Sequence, residues 1–477
     1  MTLTWTLNMY WNGYVGGGET DESGRMRGVS VVRGKKTMFG SNGFTRPQPG
    51  ILTIDLDNWD GRYDPWNTSS PLYPDFKPGI YVQLSVDYGS SHGVFAGIIK
   101  NIIPGIDKTR VVIADTWEWL KGKNSYVDLH ENINTYDAIS HVLVSVDCPE
   151  YLSIGYLYKN ENPIPYFWAG GQSAHDLVHE LSESELGQIY VNFFGDFKYK
   201  SRQSTYTDVS AVTITQADLL KDIYLPQPWD NIRNLVKAKA HPRTLQSLQV
   251  LWTLNDIPAV SPGESITLYT PYSYAGKPVP GYAVVSPVAN TDYTMNTAST
   301  GASVDLTASF TVVQTKYGDT SKLVITNNHV SLLGYIILLQ VRGQPLDTPD
   351  PIEVITDKSG TSQPRILSID LPWQQNYNSA RDFSSYLAGL YYLPKPIPII
   401  QIEARDSLQF DYELYTKITL QIVKLGISAD YYIIGIEHKS LDDGCQKIVT
   451  TYYLEPTESV AAWTFSTNIG VSSILAY

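Results

Sequence analysis

The sequence is poor in cysteine and has no long apolar run. Its 477 residues contain two cysteines, Cys148 and Cys445, which lie far apart and outside any CxxC spacing. Such usage predicts neither a disulfide framework nor a zinc ribbon. The longest apolar runs, such as residues 335–339, are far too short to span a bilayer, so we expect no stable membrane insertion. The N-terminus also lacks a leader pattern, which indicates synthesis in the cytoplasm.

Positive charge and catalytic motifs are scarce as well. The net charge is -13 and no long basic run occurs, whereas proteins that grip nucleic acid cluster Lys and Arg against the phosphates. We therefore expect no specific binding of DNA. The phosphate-binding GxxxxGK[ST] pattern and the GxSxG nucleophile pattern are both missing, and neither cysteine stands in a nucleophile context. The sequence thus predicts no enzyme, no catalytic residues and no cofactor.

Aromatic and β-branched residues are plentiful, and they favour pleated sheets. From residue 3 to residue 119, short alternating segments are separated by Gly, Pro or Asn turns, which is the pattern of an antiparallel barrel or sandwich. Later segments add helical periods. The predicted fold class is therefore mainly β with a small α+β part, spread over several domains.

Changes in composition and in the periodicity of apolar residues divide the chain into five predicted regions. They are an all-β unit at 1–125, an α+β unit at 126–229, a second β region with a helix at 230–253 and 352–456, an inserted β-sandwich at 254–351, and a loosely held extension at 457–477.

Three helices are predicted from apolar spacing and caps. The first begins near Asn134 or Thr135, and the second begins after Ser173 and stops at Gly187. The third covers residues 380–393 and ends before Pro394. Hairpins are expected at residues 195–196 and 442–444.

A cluster of aspartates at Asp55, Asp57 and Asp60 has the look of a calcium loop, but the spacing does not fit. An EF-hand needs oxygen ligands at positions 1, 3 and 5, glycine at 6 and Glu at 12, whereas here the third Asp falls at position 6 and Trp66 at position 12. We interpret 53–58 as a strand edge with outward carboxylates. The following turn uses a positive φ at Gly61, and Pro65 ends the element.

Two other groups of residues have the composition of functional sites. His175 and His179 have the i, i+4 spacing of a zinc helix, but no third ligand is identifiable, so we predict a half-exposed structural pair on the flank of the buried stripe and no metal. Asp115 and Glu118 are a conceivable carboxylate pair for glycoside hydrolysis, which the sequence neither supports nor excludes.

Several motifs resemble one family. The segments VVRGKK, PGILTIDLDNWDGRYDPWNTSSPLYPDFKPGIYVQLSV and GVFAGIIKNI are similar, in order and spacing, to the N-terminal part of long-tailed phage tail-tip proteins. SAHDLVHELSESELGQIYVNFFGDFKYKSR resembles the helix and hairpin of their second domain, and blocks within 296–346, 357–391 and 431–456 resemble later parts. The chain is thereby identified as similar to baseplate or tail hub proteins, including the hub of contractile phages and of type VI spikes.

This resemblance implies a homotrimer in which each chain carries two tail-tube-like β-barrels. Three chains then form a pseudo-sixfold ring that joins the tail tube or distal tail proteins to a threefold tip or fibre. DNA passes through its lumen without specific binding. The expected location is the tail tip of the virion, assembled in the host cytoplasm. Some relatives continue into wall-cutting or fibre domains, and this chain stops shortly after the hub motifs, so no such activity is expected.

The resemblance also implies a structural turn and extended arm that fixes the edge of a ring-forming barrel. Its residues are Asn58, Asp60, Gly61, Arg62, Pro65 and Asn67. Two alternative functions stay open. One is a carbohydrate- or receptor-binding tail protein that uses exposed Tyr and Trp of the 254–350 module, and the other is a cell-wall hydrolase.

Overall fold

The computed structural model describes residues 2–12, 18–37, 39–40, 43–148, 154–158, 163–202, 208–220, 223–226, 231–393, 396–403 and 406–457. Strands dominate these residues and helices are few, which confirms the mainly β fold class with its small α part. In this part of the chain no helix is long and apolar enough to cross a membrane. Of the expected extension at 457–477, residues 458–477 lie outside the described residues.

One open sheet of twelve strands forms the centre of the molecule. Ten of them follow one another in the order Thr213–Thr215, Lys417–Ile422, Ile427–Ser440, Met26–Gly34, Ile51–Asp57, Lys108–Ala114, Ser91–Ile103, Tyr81–Asp87, Thr4–Tyr10 and Glu19–Asp21. Ile448–Pro456 pairs with both Ile427–Ser440 and Ile399–Glu403, which confirms the hairpin at 442–444. Among the described residues no sheet closes on itself, so the expected barrels are not closed sheets within one chain.

The alternating pattern of the sequence decides which face of this sheet is buried. In Ile51–Asp57 the side chains of Leu52, Ile54 and Leu56 are fully buried, while the residues between them face outward. Side chains of a strand point to opposite faces in turn, so one face packs and the other meets solvent. The buried face joins Trp5, Leu7 and other apolar residues in one core.

Two glycines allow the N-terminal strands and the C-terminal strands to join in this sheet. Ile427–Ser440 pairs first with Lys417–Ile422 and then, from Gly435 onward, with Met26–Gly34. Gly34 has φ +76°, and a Cβ there would lie 2.3 Å from the carbonyl oxygen of Ile434. A Cβ on Gly435 would lie 2.4 Å from the carbonyl oxygen of Lys35. The strand therefore changes partners at a point that only glycine fits.

The described residues between 116 and 200 contain two short sheets and three helices. The helices are Thr116–Leu120, Thr135–Ser145 and Ala174–Glu185, and the strands are Asn124–Asn134, Ile154–Tyr158, Pro163–Ser173, Gln188–Val191 and Phe197–Lys200. Asn134 accepts a hydrogen bond from the Asp137 amide at 2.9 Å and Ser173 from the Asp176 amide at 3.3 Å, which confirms both caps. The hairpin at 195–196 is confirmed too.

The end of the second of the predicted helices differs from the expectation. Leu186, not Gly187, adopts the left-handed conformation that ends the helix, with φ 58°. Gly187 serves packing instead, because a Cβ there would lie 2.5 Å from the hydroxyl oxygen of Tyr199. The prediction therefore placed the end of the helix correctly to within two residues, but Gly187 is required for packing and not for the left-handed conformation.

The remaining strands form smaller sheets. Leu235–Ala240 lies between Ile352–Asp357 and Ile366–Leu371, and helix Tyr377–Tyr391, which confirms the third predicted helix, covers one face. Another short helix is Asp406–Phe410. Residues 244–347 hold Thr244–Leu245, Gln249–Thr253, Ala259–Val260, Ser265–Pro271, Ser273–Tyr274, Lys277–Pro278, Gly281–Tyr282, Tyr293–Asn296, Phe310–Lys316, Thr320–Asn327 and Gly334–Asp347, and a short hairpin pairs Phe39–Gly40 with Gly43–Phe44. The five domain boundaries stay predictions.

Replacing Gly34 with alanine should strongly destabilise the fold. Gly276 provides a matched control, because its φ is +77° but nothing lies within 4 Å of a Cβ there. We expect Gly276→Ala to lose about 1 kcal/mol from backbone strain and Gly34→Ala to lose more than about 3 kcal/mol from strain plus the clash. Urea unfolding measures both losses. Equal losses of stability would show that a Cβ at residue 34 does not clash with the Ile434 carbonyl oxygen.

Candidate assembly surface

The loop from residue 58 to residue 80 is held by buried side chains at its start. Asn58 is only 4% exposed, and its amide donates to the Gly105 carbonyl at 3.0 Å while its side-chain oxygen accepts from the Tyr63 amide at 2.8 Å. Its backbone amide also donates to the Asp107 carbonyl at 2.8 Å. Asn58 therefore fixes this loop to the neighbouring loop at 104–107.

The other motif residues lie together in consecutive turns. Gly61 has φ +68°, as expected, and its carbonyl accepts from the Asn67 side chain at 2.9 Å. Ser70 donates to the Arg62 carbonyl at 2.6 Å, and Asp60 accepts from Arg25 at 2.7 Å. Pro65 occupies a turn in the middle of the loop and does not end it. The segment is thus compact, and the expected extended arm is wrong.

A buried carboxylate that the sequence did not reveal organises this loop. Glu22 is 4% exposed and accepts from Arg62 at 2.6 and 3.1 Å, and the Tyr63 hydroxyl donates to the same carboxylate. Burial alone raises the pKa of Glu22, but the hydrogen bonds from Arg62 and Tyr63 outweigh burial and hold that pKa below its usual value. Glu22 is about forty residues from its partners, so no local pattern pointed to it.

Large apolar side chains project from the loops that these bonds hold. Trp59 and Trp66 are 72% and 77% exposed, Ile106 is 91% exposed and Leu441 is 58% exposed. Lys108 bonds Asp443 at 3.3 Å, so the hairpin with Leu441 lies at the same end of the large sheet. We call Trp59, Trp66, Ile106 and Leu441 the strand-end surface. Rigid, exposed tryptophans are typical anchors of protein interfaces.

The outward carboxylates of Ile51–Asp57 are paired, but they do not lie on a sheet edge. Arg110 donates to Asp55 at 2.7 and 3.0 Å, and Arg27 donates to Asp57 at 2.6 Å. The strand has a hydrogen-bonded neighbour on each side, so the expectation of an edge is wrong. Alternation reports which face a residue occupies and contains no information on which strands are neighbours.

Arg33, in the strand that carries the VVRGKK motif, connects three parts of the chain. Its side chain is 4% exposed and donates to Glu413 at 2.6 Å and to the Val191 carbonyl at 2.7 Å. Glu413 also accepts from the Phe193 amide at 2.9 Å. The N-terminal strands, the hairpin at 188–200 and the C-terminal region therefore meet at one buried ion pair.

One member of the histidine pair, His179, is more buried than expected, whereas His175 is partly exposed. His179 is 2% exposed and stacks on Trp117 with ring centroids 4.4 Å apart, because the short helix at 116–120 packs over it. Burial and nearby His175 hold the pKa of His179 well below its usual value. His179 also lines a cavity of ≈ 90 Å³. Among the residues described here no three His, Cys, Asp or Glu side chains are placed to hold a metal ion.

Asp115 and Glu118, the conceivable carboxylate pair for glycoside hydrolysis, each have a separate structural role. Asp115 is buried and accepts from the Gly50 and Trp117 amides at 2.7 and 3.0 Å, so it caps a helix. Burial raises its pKa to about 7. Glu118 instead makes ion pairs with Lys100 and Lys121 at 2.7 and 2.9 Å.

The insert does not present a platform for sugars. Within residues 254–351, all of which are described, Tyr269 is the one exposed aromatic side chain, at 65%. Tyr272, Tyr293 and Phe310 are buried in the core of the insert. A row of exposed rings, which stacking on a sugar chain requires, is therefore not found in this module.

Replacing Glu22 with glutamine should loosen the loop in a pH-dependent way. The substitution leaves the Arg62 guanidinium without its carboxylate, so we expect a loss of about 3 kcal/mol near pH 7. The pKa of Glu22 is depressed in the folded state, so its stabilisation is present above its unfolded pKa of 4.5 and is lost as the pH falls further. The difference from the parent should thus shrink at about pH 3.5.

Urea unfolding at both pH values tests this expectation, with Glu19→Gln as a control at an exposed position of the same segment. A loss that is equal at both pH values would contradict a role for the charge of Glu22.

No family model and no curated protein matches the chain. Solved structures, however, share its fold over nearly its whole length. The 43 kDa tail protein of prophage MuSo2 from Shewanella oneidensis has a TM-score of 0.51 and 10% identity, covering 95% of this chain and 98% of that chain. A tail protein from Neisseria meningitidis MC58 has a TM-score of 0.52 and 8% identity, covering 95% and 97%. An Escherichia coli type VI secretion component is more distant, with a TM-score of 0.39, 8% identity and coverage of 91% and 74%.

At such low identity the likenesses to the two tail proteins show the fold alone. They confirm, at the level of the fold, the resemblance to phage tail proteins that the motifs indicated.

Proposed function

We propose that this chain is a structural protein of a phage tail. The observation that carries the proposal is the shared fold with two tail proteins, which covers 95% of this chain in both cases. The site adds independent support, because it consists of a rigid loop with exposed tryptophans and contains no catalytic constellation among the described residues.

The finer role is that of a hub at the tail tip. Three chains form a pseudo-sixfold ring, and each chain contributes an N-terminal and a C-terminal group of strands. The open sheet supports this idea, because it joins the two groups of strands within one chain through Met26–Gly34 and Ile427–Ser440. The ring connects the tail tube or distal tail proteins to tip or fibre proteins. It belongs to the virion and assembles in the host cytoplasm.

The charge distribution suits a channel through which DNA passes. The outward face of the central strands carries the pairs Arg27–Asp57 and Arg110–Asp55, so neither sign dominates there. Overall the chain is acidic, with a net charge of -13. We place this paired face toward the lumen, where it neither attracts nor retains the phosphates of passing DNA.

The strand-end surface is our proposed contact with the neighbouring tail protein. Side chains with little rotamer freedom that are held by a bonded loop lose little entropy on binding. Trp59 and Trp66 satisfy both conditions, since the bonds of Asn58, Asn67 and Glu22 hold their loop. Such a surface suits a stable joint in a particle better than an enzymatic role.

Three copies of this chain should be found in each tail. Two groups of strands per chain require three chains for six positions around the ring, so cryo-electron microscopy of the assembled particle should show threefold symmetry at this layer. Isolated protein is not the sample for this test, because ring closure requires the tube as a template. Six copies, or a lumen lined by Lys and Arg, would contradict the hub role.

Substituting both tryptophans of the strand-end surface should block assembly without unfolding the chain. Trp59 and Trp66 are largely exposed, so Trp59→Ser with Trp66→Ser should leave the melting temperature unchanged. Loss of two interface anchors should lower incorporation into tails by at least about tenfold. Complementation of a phage that lacks this gene measures incorporation, with Tyr269→Ser as control, because Tyr269 is 65% exposed and lies in the insert. Normal incorporation of the double variant would rule out this contact.

A further inference from the structure

A loop at one end of the insert lies far from the rest of the molecule. It spans residues 328–333 and precedes strand Gly334–Asp347. Near the other end of this strand, Leu346 is fully buried in the core that contains Trp117 and Phe197. The strand has 14 residues, and at about 3.3 Å per residue the loop is about 40 Å from that core. We call residues 328–333 the tip loop.

The tip loop exposes aliphatic side chains in an uncharged part of the sequence. Val330 is 92% exposed, and Leu332 and Leu333 are 38% and 40% exposed. Residues 323–341 read LVITNNHVSLLGYIILLQV and contain no Asp, Glu, Lys or Arg. Single exposed apolar residues are normal on a protein surface, but a group of them marks a site of interaction.

Polar side chains hold the tip loop and satisfy much of its backbone. Asn327 is fully buried, and its side-chain amide donates to the Val260 and Leu332 carbonyls at 2.9 Å each. Its side-chain oxygen accepts from the His329 amide at 3.0 Å. Nδ1 of His329 in turn accepts from the Ser331 and Leu332 amides at 3.2 and 2.9 Å. These backbone groups therefore need no water, and the loop keeps its shape when water is removed.

The composition of the tip loop favours a lipid partner over a protein partner. Protein interfaces depend on Trp, Tyr and Arg anchors and cover about 800 Å² on each partner, whereas this loop offers three aliphatic side chains. Binding to a lipid surface has no such minimum, because it grows with each CH₂ group that is buried. Hydrocarbon also requires that backbone groups be satisfied within the protein, which the bonds of Asn327 and His329 achieve.

We propose that the tip loop inserts reversibly into the surface of a lipid bilayer. Val330, Leu332 and Leu333 enter the boundary between head groups and acyl chains. Glu264 is exposed at the same end of the insert, since its carbonyl accepts from the Asn327 amide at 3.0 Å. With an acidic neighbour and no basic residue in the loop, binding should need no anionic lipid and should not depend on salt. This inference goes beyond the tail role and does not rest on it.

Sedimentation of the full chain with phosphatidylcholine vesicles tests the insertion. Three short side chains bury fewer CH₂ groups than a myristoyl chain, so we expect half of the protein to be bound at about 1 to 10 mM lipid. Val330→Asp should raise that lipid concentration at least about tenfold, because a carboxylate must then leave water. Val423→Asp is the matched control, since Val423 is 81% exposed and lies outside the insert, and it should bind like the parent.

Three results would overturn the proposal. The first is a parent chain that stays in solution at about 20 mM lipid. The second is equal binding by the parent and by Val330→Asp, which would mean that another surface contacts the vesicles. The third is a parent that does not bind vesicles while Val330→Asp lowers incorporation into tails, which would identify the tip loop as a protein contact. Melting curves check that both Asp variants stay folded.

A fluorescent label tests the same insertion without adding a charge. Val330→Cys is labelled with nitrobenzoxadiazole, whose emission shifts to the blue in an apolar environment, and Val423→Cys is labelled as the control. The native thiols label slowly, because burial raises the pKa of Cys148 to about 12 and that of Cys445 to about 11. Vesicles should shift the emission at position 330 and leave that at position 423 unchanged. An unchanged emission at position 330, or equal shifts at both positions, would contradict insertion of the tip loop.

Discussion

The buried ion pair between Arg33 and Glu413 is the constraint on which the rest of the fold depends. Both charges are largely removed from water, and removing either partner of such a pair typically costs about 3 to 5 kcal/mol. Arg33 immediately precedes Gly34, where the strand approaches its partner most closely. The ion pair and the glycine thus act together. The ion pair stabilises the contact between the C-terminal region and the N-terminal strands, and the missing Cβ of Gly34 makes that close contact sterically possible.

The same principle recurs at the loop that carries the exposed tryptophans. Glu22 accepts from Arg62 and Tyr63, and Asn58 and Asn67 satisfy backbone groups that a long loop would otherwise leave open. These polar groups add to the apolar contacts that Tyr63, Leu72 and Phe76 of the same loop make with the core. The result is a surface whose apolar side chains point into solvent. Exposed apolar area is unfavourable in water, so this arrangement suits a surface that a partner covers.

Local features of this fold were predictable from the sequence, and distant contacts were not. Alternation located the strands of the N-terminal region, and the Asn134 and Ser173 caps were correct because a cap involves residues three positions apart. Glu22 and Glu413 were missed because their arginine partners lie 40 and 380 residues away. The position of Ile51–Asp57 inside the sheet was misjudged for the same reason, since strand order is a property of the whole chain.

The edges of the large sheet constrain how copies of this chain can assemble. Its ten-strand path ends in Glu19–Asp21 on one side and Thr213–Thr215 on the other, each three residues long. These two edges offer few free backbone groups, and short edge strands are one way in which proteins prevent uncontrolled pairing. The sheet also branches through Ile448–Pro456, and that branch ends in the five-residue strand Ile399–Glu403. In the proposed ring, contacts between chains at the two short edges would therefore depend on side chains, and a contact through side chains fixes the angle between copies better than a strand edge that can shift its register.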